Sequence, residues 1–331
     1  MRYFGFAKED TFGTAKTTPT MFLDVGTCNL DAPSDPYMEI PTIEETPRRA
    51  KKGFYSPSGD IEYAMDLNSI GHFLYFNMGG YEFTEGSDDD DPNTHEIWVN
   101  SGRVLPSFTS FVGKDNGNAN DFEHIFAGCI LNKLSLEISD GLATVKGSIV
   151  AQKDSKGTLR TDSQVTIAEA YPLAFYEVTT KNNNVDVSAP TKSFTLEIDN
   201  GVKAEDGQGM GSMHPYRLVA NSKALTISSD IEFQGDTYLK RFWGGNDGPT
   251  CYVEEFDYEL NFEDELGNTM KVYFPKLYFK TATQPVEGSD LIQQSLEMGV
   301  LKDSVTLADD ETIVQTSCLV TITNNESAIA L

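Results

Sequence analysis

The sequence predicts a mainly β protein made of two tandem domains, each with one short flanking α-helix. Short segments alternate apolar and polar residues along most of the chain, which is typical of half-buried strands. Helical signals are confined to two short stretches. The two stretches lie within similar segments, "SGDIEYAMDLNSIGHFLYFNMGG" and, later in the chain, "SSDIEFQGDTYLKRFWGG".

Length and charge limit the class of protein. The 331 residues are more than one ordinary domain of ~100–200 residues needs. The net charge is −26, with 25 basic and 51 acidic residues, which disfavours tight binding to nucleic acid or to an anionic membrane. The four cysteines are far apart, so we expect reduced thiols and no zinc site. No stretch has the pattern of a secretion signal or a membrane span, so we expect a soluble chain that the usual signal route does not export.

Strands are predicted at matching places in the two copies. The first copy offers "TMFLDVGTCNLD", then "GDIEYAMDL", in which Ile61 and Tyr63 alternate with Asp60 and Glu62, then a hairpin within "SFTSFVGKDNGNANDFEHIFAGCILNKL". The second copy offers "KSFTLEID", "LTISSDIEF" and a hairpin within "EEFDYELNFEDELGNTMKVYFPKLYFK", with a Gly-Asn pair at its tip. A final strand is predicted near residues 311–323.

Each copy also predicts one helix between a polar cap and a double glycine. In the first copy, Asp66 or Asn68 is the predicted N-cap, and Gly79 with the next glycine ends the helix. In the second copy, Asp236 caps "TYLKRFW", and Gly244 with the next glycine ends it.

Because five elements recur in the same order, the sequence indicates a duplicated domain. We place the first domain at 1–153, a linker at 154–170 around "DSKGTLRTDSQ", and the second domain, with a C-terminal strand, at 171–331. Long irregular loops at 31–53 and 201–221 precede the repeated strands.

No pattern for catalysis, cofactor binding or metal binding is present. The histidines His72, His95, His124 and His214 form no metal-binding motif. Acidic runs such as "GSDDDD" lack the spacing of a calcium loop and are interpreted as solvated loops. We therefore predict no catalytic site, no cofactor and no metal site, and a protein that is not an enzyme.

Several segments resemble the tail tube proteins, also called major tail proteins, of long-tailed bacteriophages (siphophages). They are "FGFAKEDTFGTAKTTPTMFLDV", "GDIEYAMDLNSIGHFLYFNMGG", "FEHIFAGCILNKLSLEIS", "AFYEV" and "FWGG". The resemblance covers nearly the whole chain. It implies β-sandwich or barrel-like domains with a flanking helix, which assemble into stacked rings around a β-barrel channel for genomic DNA.

The resemblance also implies the partners and the location. Six domains form one ring in this family, so a chain with two domains predicts trimeric, pseudo-hexameric rings. The implied partners are further copies of the chain, the tape measure protein, the tail tip and tail terminator proteins, and DNA that passes without tight binding. The implied location is the virion tail tube, after synthesis in the host bacterial cytoplasm.

Two sets of residues are candidate functional residues. The acidic faces of the matched strands, with Asp60, Glu62, Asp230 and Glu232, are candidates for a channel wall that repels phosphates over about a Debye length, ~8 Å; outer solvent is the alternative position. The basic cluster of Arg48, Arg49, Lys51 and Lys52 is a candidate contact between stacked rings, with a solvated loop as the alternative.

The sequence is also compatible with two other functions. A glycan-binding or adhesive β-sandwich module would act as a monomer and expose a flat aromatic patch. An enzyme acting on polysaccharides would use paired carboxylates, which are abundant in any acidic chain and therefore give no specific signal.

Overall fold

The computed structural model describes residues 2–32, 36–39, 46, 49–87, 91–167, 170–188, 190–284, 292–309 and 311–329. Within these ranges the chain is mainly β, as the alternation predicts, with two α-helices. In chain order, the first half contains β1 (Tyr3–Lys8), β2 (Met21–Leu23), β3 (Thr27–Cys28), β4 (Tyr37–Glu39), β5 (Arg49–Lys51), β6 (Ser58–Ala64), α1 (Ile70–Met78), β7 (Gly79–Thr84), β8 (Asn93–Val99), β9 (Phe108–Lys114), β10 (Phe122–Ile138), β11 (Thr144–Val150) and β12 (Lys153–Gly157).

The second half repeats much of this order without the two strands that follow α1. It contains β13 (Val178–Asn182), β14 (Val185–Asp186), β15 (Thr191–Asp199), β16 (Ala224–Glu232), α2 (Thr237–Trp243), β17 (Phe256–Glu263), β18 (Thr269–Thr283), β19 (Gln293–Val300), β20 (Asp303–Thr306), β21 (Ile313–Thr316) and β22 (Leu319–Asn324).

One antiparallel sheet, which we call the main sheet, runs through both halves. Its strand order is β3-β6-β11-β10-β15-β16-β19-β18. The halves meet in its centre, where β10 pairs with β15 so that Leu136 lies opposite Leu196. Side chains alternate between the faces of a strand, so one face of the main sheet is apolar and packs into the core. The largest cluster of buried apolar residues accordingly contains side chains from both halves.

The two longest strands leave the main sheet and enter outer sheets. The beginning of β10 pairs with β9 and β12, and its end pairs with β11 and β15. The beginning of β18 pairs with β17 and β22, and its end pairs with β19. Both strands carry a register irregularity at the change of sheet, between Phe126 and Cys129 in β10 and between Phe274 and Leu277 in β18, as expected where a strand bends.

The same pairing pattern therefore occurs twice. The path β9-β10-β11-β6-β3 in the first half corresponds to β17-β18-β19-β16-β15 in the second, and β1 lies beside β9 as β13 lies beside β17. By the same correspondence, β12 takes the place of β22, because each pairs with the beginning of its long strand. This supports the duplication, while the boundaries at 153 and 171 stay a prediction.

The helices end where the double glycines predict. Gly79 and Gly244 follow α1 and α2 in the left-handed conformation, with φ of 85° and 64°. The start of α1 differs from the prediction, since its N-cap is Ser69. Asp66 instead accepts hydrogen bonds from the N–H groups of Asn68 and Ser69, each at 3.0 Å, and so stabilises the turn before the helix. Asp236 is the N-cap of α2, as predicted.

The segment predicted to be a linker packs closely on the first half. Its first residues form β12, and Arg160 Nε then donates to Glu123 Oε1 at 2.7 Å. Tyr3 donates its hydroxyl to the same carboxylate at 2.8 Å, and burial raises the pKa of Tyr3 to about 12. Val165 joins the small apolar cluster around Tyr3 and Phe111.

We expect Arg160→Ala to lower the free energy of unfolding by roughly 3–5 kcal/mol, because it leaves the carboxylate of Glu123 buried without its cation. Glu123 is only 2% exposed and Arg160 15%. Chemical denaturation measures the effect. Lys153→Ala, at an exposed position of the neighbouring β12, is the control and should stay within about ±0.5 kcal/mol. Equal stability of the two variants would contradict the structural role of this pair.

Candidate assembly surface

The four acidic residues singled out in the sequence lie on the same face of the main sheet. Asp60 and Glu62 project from β6, and Asp230 and Glu232 from β16, while Ile61 and Ile231 between them are buried on the opposite face. Three strands, β11, β10 and β15, separate the two pairs. We call this face, opposite the core, the polar face.

The polar face extends across the whole main sheet in rows that join neighbouring strands. In one row every residue is polar or charged, which makes the face continuous through both halves of the chain. That row contains Thr27, Glu62, Lys146, Ser135, Glu197 and Thr226. A parallel row contains Thr144, Glu137, Thr195, Ser228, Glu297 and Thr281.

The polar face is acidic although it carries lysines. The eight strand segments of the main sheet hold eight carboxylates and four lysines, a net 8 − 4 = 4 negative charges per chain. Each lysine contacts a carboxylate of the same face, so its charge is neutralised locally. The pairs are Lys133–Glu197 at 2.7 Å, Lys146–Glu137 at 2.6 Å, Lys192–Glu232 at 3.5 Å and Lys280–Glu297 at 3.2 Å.

Asp230 has a different environment from the other three predicted residues. It accepts hydrogen bonds from Ser193 Oγ at 3.0 Å and from Ser295 Oγ at 2.6 Å, which fix the carboxylate between two strands. Asp60 and Glu62 are exposed, and the backbone N–H of Asp60 donates to Asn29 at 2.5 Å.

The main sheet ends in two open edges. Among the described residues, β3 pairs with β6 only, and the end of β18 pairs with β19 only. In the repeated pattern, β3 corresponds to β15, and the end of β18 corresponds to the end of β10. The two equivalents, β15 and the end of β10, pair with each other at the centre of the main sheet. An open edge presents unpaired N–H and C=O groups that can pair with another chain.

The described parts of both long loops project from one end of the main sheet, which we call the loop end. Four antiparallel pairs lead from β6 to β16, so these two strands run in the same direction. The loops that precede them therefore lie at the same end of the sheet. The loops meet there, because the N–H of Tyr55 donates to the carbonyl of Met213 at 2.8 Å and the Tyr55 ring contacts His214 edge to face.

The described part of the predicted basic cluster lies at this end. Arg49 and Lys51 are exposed on β5, which pairs with β4 as a two-stranded arm, and the Lys52 ammonium lies 5.9 Å from the centre of the Tyr55 ring. Arg48 lies outside the described residues. Exposed apolar side chains accompany these cations at the loop end, namely Tyr37, Met38, Met210 and Tyr216.

The remaining candidate ligand groups of the sequence are its histidines, cysteines and acidic runs. The described residues contain no group of three or more His, Cys, Asp or Glu side chains placed to hold a metal ion. Asp88, Asp89 and Asp90 of the acidic run lie outside them. All four cysteines are free thiols. In the part of the chain that the structure describes, no helix has the length and apolar character that a membrane crossing requires.

Sequence reasoning missed most of the polar face. Lys133, Glu137 and Glu197 lie within "KLSLEIS" and "SFTLEID", whose alternation already separates polar from apolar positions. That signal could have placed these residues opposite the core. It could not have shown that the strands are neighbours of β6 and β16.

The main sheet thus runs through both halves of the chain, with one polar face and two open edges among the described residues. The family model described as "Phage tail tube protein" matches residues 2–300 of the chain. The chain therefore belongs to the phage tail tube protein family, as its sequence resemblance indicates, and is a structural component of the virion. Comparison with curated proteins found no match.

Proposed function

We propose that three copies of the chain close into a ring, that rings stack into the tail tube, and that the polar face lines the channel through which DNA leaves the phage. The observation that carries this proposal is the pairing of β10 with β15 inside the chain. The open edge of β18 is equivalent to the end of β10, and the open edge of β3 is equivalent to β15. The β10–β15 pairing inside the chain therefore serves as a template for a β18–β3 pairing between chains.

Ring closure then follows from strand pairing alone. The end of β18 in one chain adds to β3 of the next, and the third chain returns to the first. The main sheet contributes eight strands, so three chains supply 24. At about 4.8 Å between strands, 24 upright strands close a circle about 37 Å across between backbones, and strand tilt widens it. A DNA duplex fits within that width.

The electrostatics of the polar face suit such a channel. Three chains place a net 3 × 4 = 12 negative charges on the wall of one ring, counted from the strand residues alone. Phosphates are repelled, and the lysines are held by glutamates; hydrogen bonding to Glu137, for example, raises the pKa of Lys146. DNA therefore gains few of the cation contacts that hold it on basic proteins.

The experiment that tests the proposal is electron microscopy of the purified chain, with mass per unit length measured on any tubes. We expect rings or tubes with three chains per repeat. Six chains per repeat would contradict the pseudo-hexameric ring. A stable monomer that binds glycans would instead favour an adhesive module.

For ring stacking, we propose that the loop end contacts the next ring. Replacing Arg48, Arg49, Lys51 and Lys52 together by Ser should leave the melting temperature unchanged, because the three described members are exposed. Tube growth should be impaired, because the acidic surface of the next ring loses its cationic partner. Tube length in electron micrographs measures this, and tubes of normal length would contradict the assignment.

A further inference from the structure

We infer that the outer face of α2 and the segment 244–255 form a second docking surface between copies of this chain, and that the β12 edge of the neighbouring copy occupies it. The inference rests on the proposed ring. It adds an outer junction to the one within the main sheet and assigns a role to residues that the channel does not use.

The first observation is the different burial of the two equivalent helices. Eight of the nine residues of α1 are buried, whereas α2 has no buried residue. The inner packing is shared, since Phe76 of α1 stacks on Phe108, and Tyr238 of α2 contacts Phe279. The difference is an outer layer, which covers α1 and is missing from α2 in the described part of the chain.

That outer layer over α1 is itself the junction between the two halves. It consists of β7 and β8, which follow α1 directly, and of β22, which comes from the end of the chain and pairs with β8. A β-carbon on Gly71 of α1 would lie 2.8 Å from Ile329 and 3.3 Å from Ile322, so the C-terminal residues lie directly on the helix. The helix of one half is thus covered by the other half.

The second observation is an apolar patch where the layer is missing. Phe242 of α2 is 40% exposed, and Tyr252 and Val253 in the following segment are 76% and 63% exposed. The segment lies against the helix end, because a β-carbon on Gly244 would come within 2.1 Å of the carbonyl oxygen of Tyr252. Large side chains clustered at this level of exposure are typical of an interaction surface.

The third observation identifies the occupant. In the repeated pattern β12 takes the place of β22, and β22 is the strand that reaches across to the other half. Among the described strands, β12 pairs with β10 only, which leaves its outer edge open. When β18 of one chain meets β3 of the next, the β12 edge of that next chain comes to lie opposite α2, as β22 lies opposite α1.

The charges of the two surfaces are complementary. The β12 strand exposes Lys153 and Lys156, and the segment beside α2 carries Glu254 and Glu255. These glutamates also contact Arg241 and Lys276 of their own chain, at 3.2 Å each, and remain about half exposed. Such a rim favours the correct partner and orientation around an apolar centre.

Hydrogen exchange of the unmodified chain, before and after assembly, tests the inference, with α1 as the control within the same molecule. We expect amides in 237–255 and 153–157 to exchange about tenfold or more slowly in rings, because segments covered by a neighbouring copy open locally less often. Amides of α1 should change little, since α1 is already covered. A complementary test uses the native exposed thiol of Cys251. With Ser155→Cys, a short bismaleimide should join neighbouring chains in rings, and with Cys251→Ser as well it should not.

The outcomes separate this inference from the proposed ring. Rings that form without slower exchange at α2 and without the cross-link would overturn the inference and leave the ring intact. A chain that never assembles would overturn both. Slower exchange together with cross-linked dimers and trimers supports the inference.

Discussion

A proline in the outer edge of β18 is expected to abolish ring formation in a chain that still folds. Successive backbone N–H groups of a strand point to opposite sides, so Thr281 and Ala282 direct theirs to different neighbours. One N–H donates towards β19 within the chain, and the other towards the open edge. Proline removes the donor and adds its ring, which an inner position does not tolerate but an edge position does.

The variants Thr281→Pro and Ala282→Pro therefore form a matched pair, because one removes a donor inside the chain and the other removes a donor at the open edge. We expect one to lose roughly 3 kcal/mol of unfolding free energy, because it breaks a bond of the sheet. The other should unfold like the original chain and yet form no rings in electron micrographs, because the bond it breaks exists only between chains. Normal rings from the variant of unchanged stability would show that β18 does not close the ring.

Reversing the charge of the polar face is expected to slow or block DNA ejection. Changing Asp60, Glu62, Asp230 and Glu232 to Lys replaces four negative charges by four positive ones, which shifts the net charge by 4 × 2 = 8 per chain and takes the face from −4 to +4. Each new ammonium can contact a phosphate and release a counterion, so DNA would bind to the wall. The defect should shrink as salt is raised, because the new attraction is screened.

This change should still permit folding and assembly. Exposed charges contribute within about ±0.5 kcal/mol each, and the largest single cost is expected at Asp230, which loses two hydroxyl hydrogen bonds. The matched control changes four exposed acidic residues outside the main sheet, Glu85, Glu263, Glu265 and Glu311, to Lys. Ejection from phage carrying either set, at low and high salt, is the measurement. Equal ejection at low salt would place the polar face away from DNA.

Local features of the fold were predictable from short stretches of sequence. The bounds of α2 at 237–243, the left-handed glycines Gly79 and Gly244, and the hairpin tip at Gly267, with φ of 83°, all agree with their residues. Alternation also placed Ile61 and Ile231 in the core and the acidic residues beside them on the other face. These features depend on backbone conformation and periodicity within a few residues, which the sequence carries directly. The predicted start of α1 was wrong because the side chain of Asp66 accepts hydrogen bonds in the turn before the helix. One of these bonds comes from the N–H of Ser69, which is the actual N-cap.

The sequence by itself determined that the chain is acidic, mainly β and internally repeated, and that it resembles phage tail tube proteins. The tertiary structure decided which strands are neighbours. The pairing of β10 with β15 brings Asp60 and Asp230 onto one face, and the pairing of β8 with β22 covers α1 while α2 stays open. A period of two shows which side of a strand is apolar but not which distant strand lies beside it. Which strand becomes the neighbour depends on contacts between residues far apart in the chain. These contacts form only when the whole core packs.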